Sequence, residues 1–441
     1  MSKPSRLSRL AKLGGLTSKV TTSFIGNKVR DAFRDEDMRK KAREKLQIDN
    51  AREIVAQVSK MKGAAMKLGQ QMAIAADALD LPDEVASTLG KLNKDAEPIP
   101  FQHIREDIES ELGKPLSELF ARFDETPIGT ASLGQAHGAA LPDGTEVVVK
   151  VLHRGVEHSV DTDMLALKAV LMSSRAIRRP KAEIDRIFGE IRDRLMEELD
   201  YLQEAANIHV YQELFAGEDW IRIPTLHQAW CTERILTMDR LPGVHIDRFV
   251  ETATPEARQR AAIGLAELYY RQAFQFRTLH ADPHPGNFLF EPDGRIGLID
   301  YGCIKRLDEF WMASYARCAE AIYRNDRDAT LKHAIELGSW DGKGDAAAEA
   351  LWRYLDAIGT GFRQGTITLG ADDEQFVEPV VKAGRQLVKY PNITLPQDII
   401  MLHRSLGGLY TLSRHLKAPV DYGSIVLGYS SKAIARAEGR I

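Results

Sequence analysis

Apolar residues recur at helical spacing from Asp35 to about Ala78, where Ile54, Val58, Met61, Leu68 and Met72 fall near one face. Gly63 and Gly69 interrupt that pattern, each costing about 1 kcal/mol relative to Ala, which suggests that something packs close to their backbone. "LPDEV" at 81–85 starts a new helix with Pro82 in its first turn, and "AEPIP" at 96–100 makes a linker. A helix is predicted around 101–112. The period then switches to alternation. "TPIGTASLGQAHGAALPDGTEVVVKVLH" reads as strand, tight Gly/Ala loop, strand, hairpin turn at Pro142-Asp143-Gly144, and a strong strand over 145–152. Helical spacing returns with one long helix over about 182–213. Short strands near 221–227 and 232–238 precede a connection at Pro242-Gly243. The rest is helical except for 279–302.

The pattern therefore predicts a small strand-rich unit followed by a larger helical one, joined near residue 240, as two lobes with a cleft between them. The expected boundaries are 1–34 for a basic arm, 35–95 for a helical extension, 96–240 for the strand-bearing lobe with long inserted helices, and 241–441 for the mostly helical lobe.

Composition narrows the class. A chain of 441 residues with 44% apolar and 28% charged content can bury a large core and is an ordinary soluble globular protein. A net charge of −4 disfavours nucleic acid as a partner. Cys231, Cys303 and Cys318 are too scattered for a disulfide framework or a zinc cluster, and read as buried thiols of a reducing compartment. The most apolar window, "AAIGLAELYYRQAFQF", carries Glu267 and Arg271 and reads as a buried helix, not a membrane span. "MSKPSRLSRLAKLGGL" lacks the continuous apolar run of a secretory signal.

Charge is uneven, however. Residues 1–30 hold seven Lys or Arg and no acid. Peripheral contact with an anionic membrane is one reading of this arm. Leu7, Leu10, Leu13 and Leu16 step by three, so their stripe drifts by roughly 60° at each step, and a protein-docked arm is the other reading.

The candidate chemistry lies in "LHADPHPGNFLFEPDGRIGLIDYG", residues 279–302. Pro283 and Pro285 stiffen the loop that carries Asp282. Asn287 opens the strand "NFLF", which is expected to pair with "RIGLID" across Pro292-Asp293-Gly294. That hairpin brings Asn287 and Asp300 to one rim. A carboxylate and an amide oxygen there are hard ligands that suit Mg2+. Asp282 is left to orient a nucleophile or accept its proton, with His280 holding the loop. A transition-metal site of His280, Asp282 and His284 is the rival reading. In "EVVVKV", Lys150 stands in an apolar run, where an inward ammonium needs an anion; a Lys snorkelling from an edge strand is the plain alternative. In "EELDYLQEAAN", Asp200 and Glu204 are spaced to share a helix face, with Tyr201, Leu202 and Ala205 marking buried flanks.

Together these residues resemble the UbiB/ADCK (ABC1-type) family of atypical protein-kinase-like proteins, coenzyme Q biosynthesis subgroup. "KLGQ", containing Lys67, Gly69 and Gln70, is similar to its KxGQ signature. "GTASLGQAH", with Ala131 and Ser132, is similar to its Ala-rich nucleotide loop. "ELD", Glu198 to Asp200, is similar to its ExD motif, and "HADPHPGN" and "DYG" to its catalytic and metal-binding segments.

The resemblance implies an α+β, bilobal protein-kinase-like fold with an N-terminal helical extension packed over the cleft. It implies ATP or ADP and Mg2+ as ligands, with Asn287 and Asp300 on the metal and Asp282 as acid-base residue. Lys150 would contact the α/β-phosphates and pair with Glu204, and Met238, Asp239, Arg240 and Leu241 would form the adenine hinge. Lys67, Gly69 and Gln70 would cover the cleft against Glu198 and Asp200. Gly129-Thr130 replaces two alanines of the usual loop, leaving the ATP or ADP preference open, and Tyr301 replaces the common Phe. "SIVLGYSSKAIARAEGRI" is too short and too charged to span a bilayer, so a cytoplasmic location with peripheral contact at the inner face of a membrane is expected.

Three functions are carried forward. The first is an ATPase or small-molecule or lipid kinase, acting on a substrate such as a quinone precursor and supporting ubiquinone or related lipid metabolism. The second is a protein kinase acting on a partner, disfavoured because no A-P-E platform follows the DYG segment. The third is a lipid-binding scaffold without catalysis.

Overall fold

In a computed structural model of the chain, the described residues are 98–130, 133–173 and 180–440, with Leu68, Met72, Leu79 and Leu81. The arm at 1–34, nearly all of the 35–95 extension, Lys67, Gly69 and Gln70, and the loop residues Ala131 and Ser132 lie outside them.

The first helix, α1 (Phe101–Leu112), presents Ile104 and Ile108 to a core, and Gly113 ends it in the left-handed conformation. A short helix, α2 (Leu116–Leu119), leads into strands β1 (Arg122–Phe123), β2 (Gly129–Thr130), β3 (Gly134–Ala140) and β4 (Glu146–Leu152). Strands β3 and β4 form the expected antiparallel hairpin, Gly134 opposite Leu152 and Ala140 opposite Glu146. Its turn closes with the Gly144 N–H on the Leu141 carbonyl (2.9 Å) and the Thr145 N–H on Asp143 Oδ1 (2.9 Å). Helices α3 (Val156–Ser173), α4 (Lys181–Glu197) and α5 (Tyr201–Leu214) follow, then strands β5 (Ile221–Arg222) and β6 (Ile235–Asp239). The sheet order is β1-β3-β4-β6, with β2 also on β3.

Where one long helix was expected over 182–213, the chain makes two. The break comes at Glu198-Leu199-Asp200, because Asp200 Oδ1 accepts the N–H groups of Leu202 (3.1 Å) and Gln203 (3.0 Å). Those are donors that a helix start leaves unsatisfied, so Asp200 is the cap of α5 and not a residue within a helix. Asp200 and Glu204 therefore do not share a helical face: Asp200 is exposed and Glu204 is buried. Leu202, expected at a buried flank, is 43% exposed.

After Arg240 the chain forms α6 (Ile246–Thr252) and α7 (Pro255–Tyr270), the latter capped by Thr254 and continuing as six residues of π-helix, Arg271–Phe276. Arg277 reverses it in the left-handed region (φ 53°), and β7 (Thr278–His280) begins. Strands β8 (Phe288–Phe290), β9 (Ile296–Leu298) and β10 (Ile304–Arg306) precede helices α8 (Glu309–Tyr323), α9 (Arg327–Glu336) and α10 (Asp345–Arg363). Strand β11 (Ile367–Thr368), helices α11 (Asp373–Leu387) and α12 (Gln397–Leu416), strand β12 (Pro419–Val420) and α13 (Tyr422–Ala437) complete the described chain. Among the described residues no helix is long and apolar enough to cross a membrane.

The chain divides into two units. One runs to Gln203 and takes up Leu226–Arg240; the other holds Glu204–Thr225 and continues from Leu241. Residues 204–225, expected with the strand-bearing lobe, thus belong to the helical unit. Their bonds explain it: β5 pairs parallel with β9, Ile221 opposite Ile296, and α5 bonds to the backbone of Tyr301. The three cysteines are free; only Cys318 is buried, and burial pushes its thiol up to about 12.

Candidate active site

In the helical unit, two ladders hold two loops face to face. Strand β8 pairs antiparallel with β9, Phe288 opposite Leu298, and β7 pairs antiparallel with β10, His280 opposite Ile304. The loops between them, 281–287 and 299–303, are thus anchored to each other at both ends. The Ile299 N–H donates to the Asn287 carbonyl (3.1 Å) and the Ala281 N–H to the Cys303 carbonyl (2.9 Å). Three-residue strands hold because their side chains are sealed: Phe290, Ile296 and Leu298 are fully buried, and Phe249 stacks on Phe290 at 5.2 Å. Gly294 turns the β8–β9 hairpin at φ 91°, where a Cβ would stand 2.4 Å from the Ala257 carbonyl oxygen.

This arrangement sets Asn287 against Asp282 and lays the Asp300 loop beside theirs. Asn287 Nδ2 donates to the Asp282 carbonyl (2.9 Å) and to Asp282 Oδ2 (3.2 Å), so the amide presents its oxygen away from Asp282. Asp300 Oδ1 accepts from the Gly302 N–H (3.2 Å), a local turn that holds its carboxylate. His280 Nε2 donates to the Asp300 carbonyl (2.7 Å), and its own N–H goes to Gln272 Oε1 (2.7 Å). His280 therefore ties one loop to the other, as its expected holding role requires.

The transition-metal reading of His280, Asp282 and His284 gains no support: His280 Nε2 is committed to that carbonyl and His284 Nδ1 accepts the Gly286 N–H (3.0 Å) within its own loop. Among the described residues no group of three or more His, Cys, Asp or Glu gathers to hold a metal. An amide oxygen and a carboxylate, as Asn287 and Asp300 carry, are of the kind a hard cation takes when water or phosphate completes its shell.

Three contributors were not identified from sequence. Asn207 lies one helical turn after Glu204 on α5. Glu204 Oε1 accepts the Tyr301 N–H (3.1 Å) and Asn207 Nδ2 donates to the Tyr301 carbonyl (2.8 Å). The two side chains thus clamp both polar groups of the residue after Asp300. The i,i+3 spacing of Glu204 and Asn207 was a usable signal. Arg404 on α12 stands 3.7 Å from Asp282 Oδ1, and Gln272 accepts from both the His280 N–H and the Tyr211 hydroxyl (3.2 Å). Nothing local in the sequence connects Arg404 to a residue 122 positions earlier. Tyr301 is fully buried, its hydroxyl donating to the Leu298 carbonyl (3.0 Å), and burial raises that hydroxyl well above its ordinary range.

In the strand-bearing unit, Lys150 lies on β4, between β3 and β6, opposite Ala136 and Leu236. The strand is central, which removes the edge-strand snorkelling alternative. Val147, Val149 and Val151 face the core formed with Ile104, Ile108 and Phe120, so Lys150 is on the other face of the sheet with Val148. On β6, Met238 is buried and Asp239 Oδ1 is 2.8 Å from His227 Nε2. The Arg240 N–H donates to the Glu146 carbonyl (3.0 Å), and Leu241 begins the second unit beside Gly297. Glu198 and Asp200 occupy the link between α4 and α5.

The model of the ABC1 atypical kinase-like domain matches residues 91–334. The chain is similar to the Rattus norvegicus protein named atypical kinase COQ8B, mitochondrial: 27% identity over 429 residues, covering 94% of this chain and 79% of that one. It is also similar to AarF domain-containing protein kinase 1 of Mus musculus, at 30% over 340 residues, 75% of this chain and 64% of that one. Among solved structures, the Rv3197–erythromycin complex of Mycobacterium tuberculosis is alike with a TM-score of 0.61 at 23% identity, covering 88% of this chain and 97% of that one. At that identity the likeness speaks for the fold alone.

Proposed function

The chain belongs to the ABC1 atypical kinase-like family, as the order of its motifs led us to expect, and from that premise we propose that it is an ATPase or small-molecule kinase dependent on Mg2+. The physiological setting we propose is isoprenoid-quinone or related lipid metabolism, with a quinone precursor as the class of substrate. The observation that supports the reading is that the loop bearing Asp282 and Asn287 is tied at both ends to the loop bearing Asp300.

In this mechanism Asn287 and Asp300 would hold Mg2+, and the ion would supply charge neutralisation at the phosphates. Asp282 orients the attacking hydroxyl or water and receives its proton, with Arg404 and Asn287 steadying the carboxylate. Lys150 binds the α/β-phosphates, and Glu204 is its counter-ion while also accepting the Tyr301 N–H. Ala131, Ser132 and residues Met238–Leu241 contact the nucleotide. Catalysis is electrostatic positioning, without a covalent intermediate. The bilobal arrangement, the helix of Lys67, Gly69 and Gln70 covering the cleft against Glu198 and Asp200, and peripheral attachment of residues 1–34 to the inner face of a membrane belong to the same proposal.

The test is Asp300→Asn, which keeps the turn to Gly302 but removes one formal charge. Mg2+-dependent ATP turnover should fall at least a hundredfold, and undiminished turnover would refute the reading. The mouse relative, named a protein kinase, favours one alternative, transfer to a partner protein. Labelled γ-phosphate separates the two: label on protein supports that alternative, while free phosphate or labelled small molecule supports ours.

A further inference from the structure

Helices α8, α10, α11 and α12 of the helical unit surround a cavity of about 370 Å3. That is within the ~300–1,000 Å3 range of small-molecule pockets. Among the described residues its lining has no Asp, Glu, Lys or Arg. Its polar groups are uncharged, five tyrosines with Ser339, Thr394 and His403, and His403 Nε2 is 3.2 Å from the Tyr315 hydroxyl. Burial pushes His403 below the ordinary histidine value, so the ring is neutral at pH 7 and offers no charge to an anion.

Two further features mark this space as more than a packing gap. The cavity lies between two separate hydrophobic clusters, one around Leu331, Trp340 and Leu351, the other around Cys318, Ile322 and Ile399. Helix α11 lines it with Val380 and Leu387, yet none of its fifteen residues is buried, although apolar and polar residues segregate cleanly along it. At its first turn α11 is pinned: Asp373 Oδ2 accepts from the Tyr410 hydroxyl (3.0 Å) and lies 2.8 Å from Arg414 Nε. Beyond its other end the rim is apolar and open, with Val388 88% and the lining residue Leu395 58% exposed.

The far side of α12 meets the Asp282 loop. Leu402, His403 and Leu406 line the cavity, while Arg404 reaches Asp282 and Ser405 Oγ donates to the His280 carbonyl (3.3 Å). Gly408 approaches Pro283 so closely that a Cβ would stand 2.0 Å from the proline Cβ. One rigid helix thus has the cavity on one face and the loop on the other.

We propose that this cavity is a binding site for an uncharged, mainly hydrocarbon molecule with one small polar end, entering beside Leu395, and that its occupancy is transmitted through α12 to the loop at 281–287. The uncharged lining among the described residues selects against ions, the volume admits a chain of about ten carbons, and the His403–Tyr315 pair offers the polar end a partner. Two-state coupling requires that the ligand favour one position of α12 over another. The proposal does not depend on the nucleotide reading.

The matched probes are 1-decanol and decanoate, which share a chain and differ in charge. Titration calorimetry on the full chain should give one decanol bound per chain and at least tenfold weaker binding of decanoate. Ala319→Phe on α8 and Ile358→Phe on α10 fill the cavity from different walls. In each folded variant, checked by its thermal transition, decanol affinity should fall at least tenfold. Decanol should also slow amide exchange over 281–287 in the parent protein and not in the filled variants. Equal binding of both probes, no binding of decanol, or undiminished binding in a folded filled variant overturns the site. Lost binding with unchanged exchange over 281–287 overturns the coupling to the loop.

Discussion

The sheet core of the strand-bearing unit and the helical chamber around α11 are made of similar side chains, yet they are packed in opposite ways. Val147, Val149 and Val151 alternate into a core closed by Ile104, Ile108 and Phe120, and almost nothing there is left accessible. Around α11 the same kinds of residue stand half-covered about an open space. A strand's two-residue period sends every second side chain to one face, so a single covering helix can seal it. Helices that meet over a wide angle leave gaps that only large side chains or a ligand can fill. The first region is scaffold; the second has room for chemistry.

Truncation should expose that difference most strongly. Ile108→Ala, in the sealed core, should cost about 3 kcal/mol in chemical denaturation, through lost contacts and an unfilled void. Leu387→Ala, beside the cavity, should cost under about 1.5 kcal/mol, because its neighbours are already absent on one side. Similar losses at both positions would remove the distinction. Next in size, Gly408→Ala should push α12 and the Pro283 loop apart and reduce ATP turnover at least tenfold, with circular dichroism unchanged. Turnover within twofold of the parent would mean that the loop tolerates displacement.

A smaller effect is expected at the break between α4 and α5. Asp200→Ala should cost about 1 kcal/mol and Asp200→Asn only a few tenths, since an Asn side chain still accepts the Leu202 and Gln203 N–H groups. Equal losses in both variants would point to the charge in place of the cap.

The smallest effect concerns pH. Burial lowers His137 in the sheet core and His403 at the cavity below the ordinary 6.5. Below that value the unfolded chain binds protons that the folded chain does not, so stability present above pH 6.5 is lost as pH falls through the depressed folded values. Denaturation between pH 7 and 5 should show this decline. His403→Gln should flatten part of it, and an unaltered slope would assign the dependence to His137 and the carboxylates.

Local order was legible in the residues themselves. The turn at Pro142-Asp143-Gly144 and the paired strands about Pro292-Asp293-Gly294 follow from short-range sterics, turn chemistry and a two-residue alternation, all contained in a few consecutive positions. So did membership of the family, which rests on motif order. The Asp200 cap was misread, because an acid inside a helical period and an acid that starts a helix look alike until the backbone donors are located. Arg404 against Asp282, Gly408 against Pro283, the clamp of Glu204 and Asn207 on Tyr301, and the chamber under α11 were decided only by tertiary structure. The first three join residues about 90 to 125 positions apart, the chamber gathers segments from Tyr269 to Val426, and no local preference encodes which distant face will arrive there.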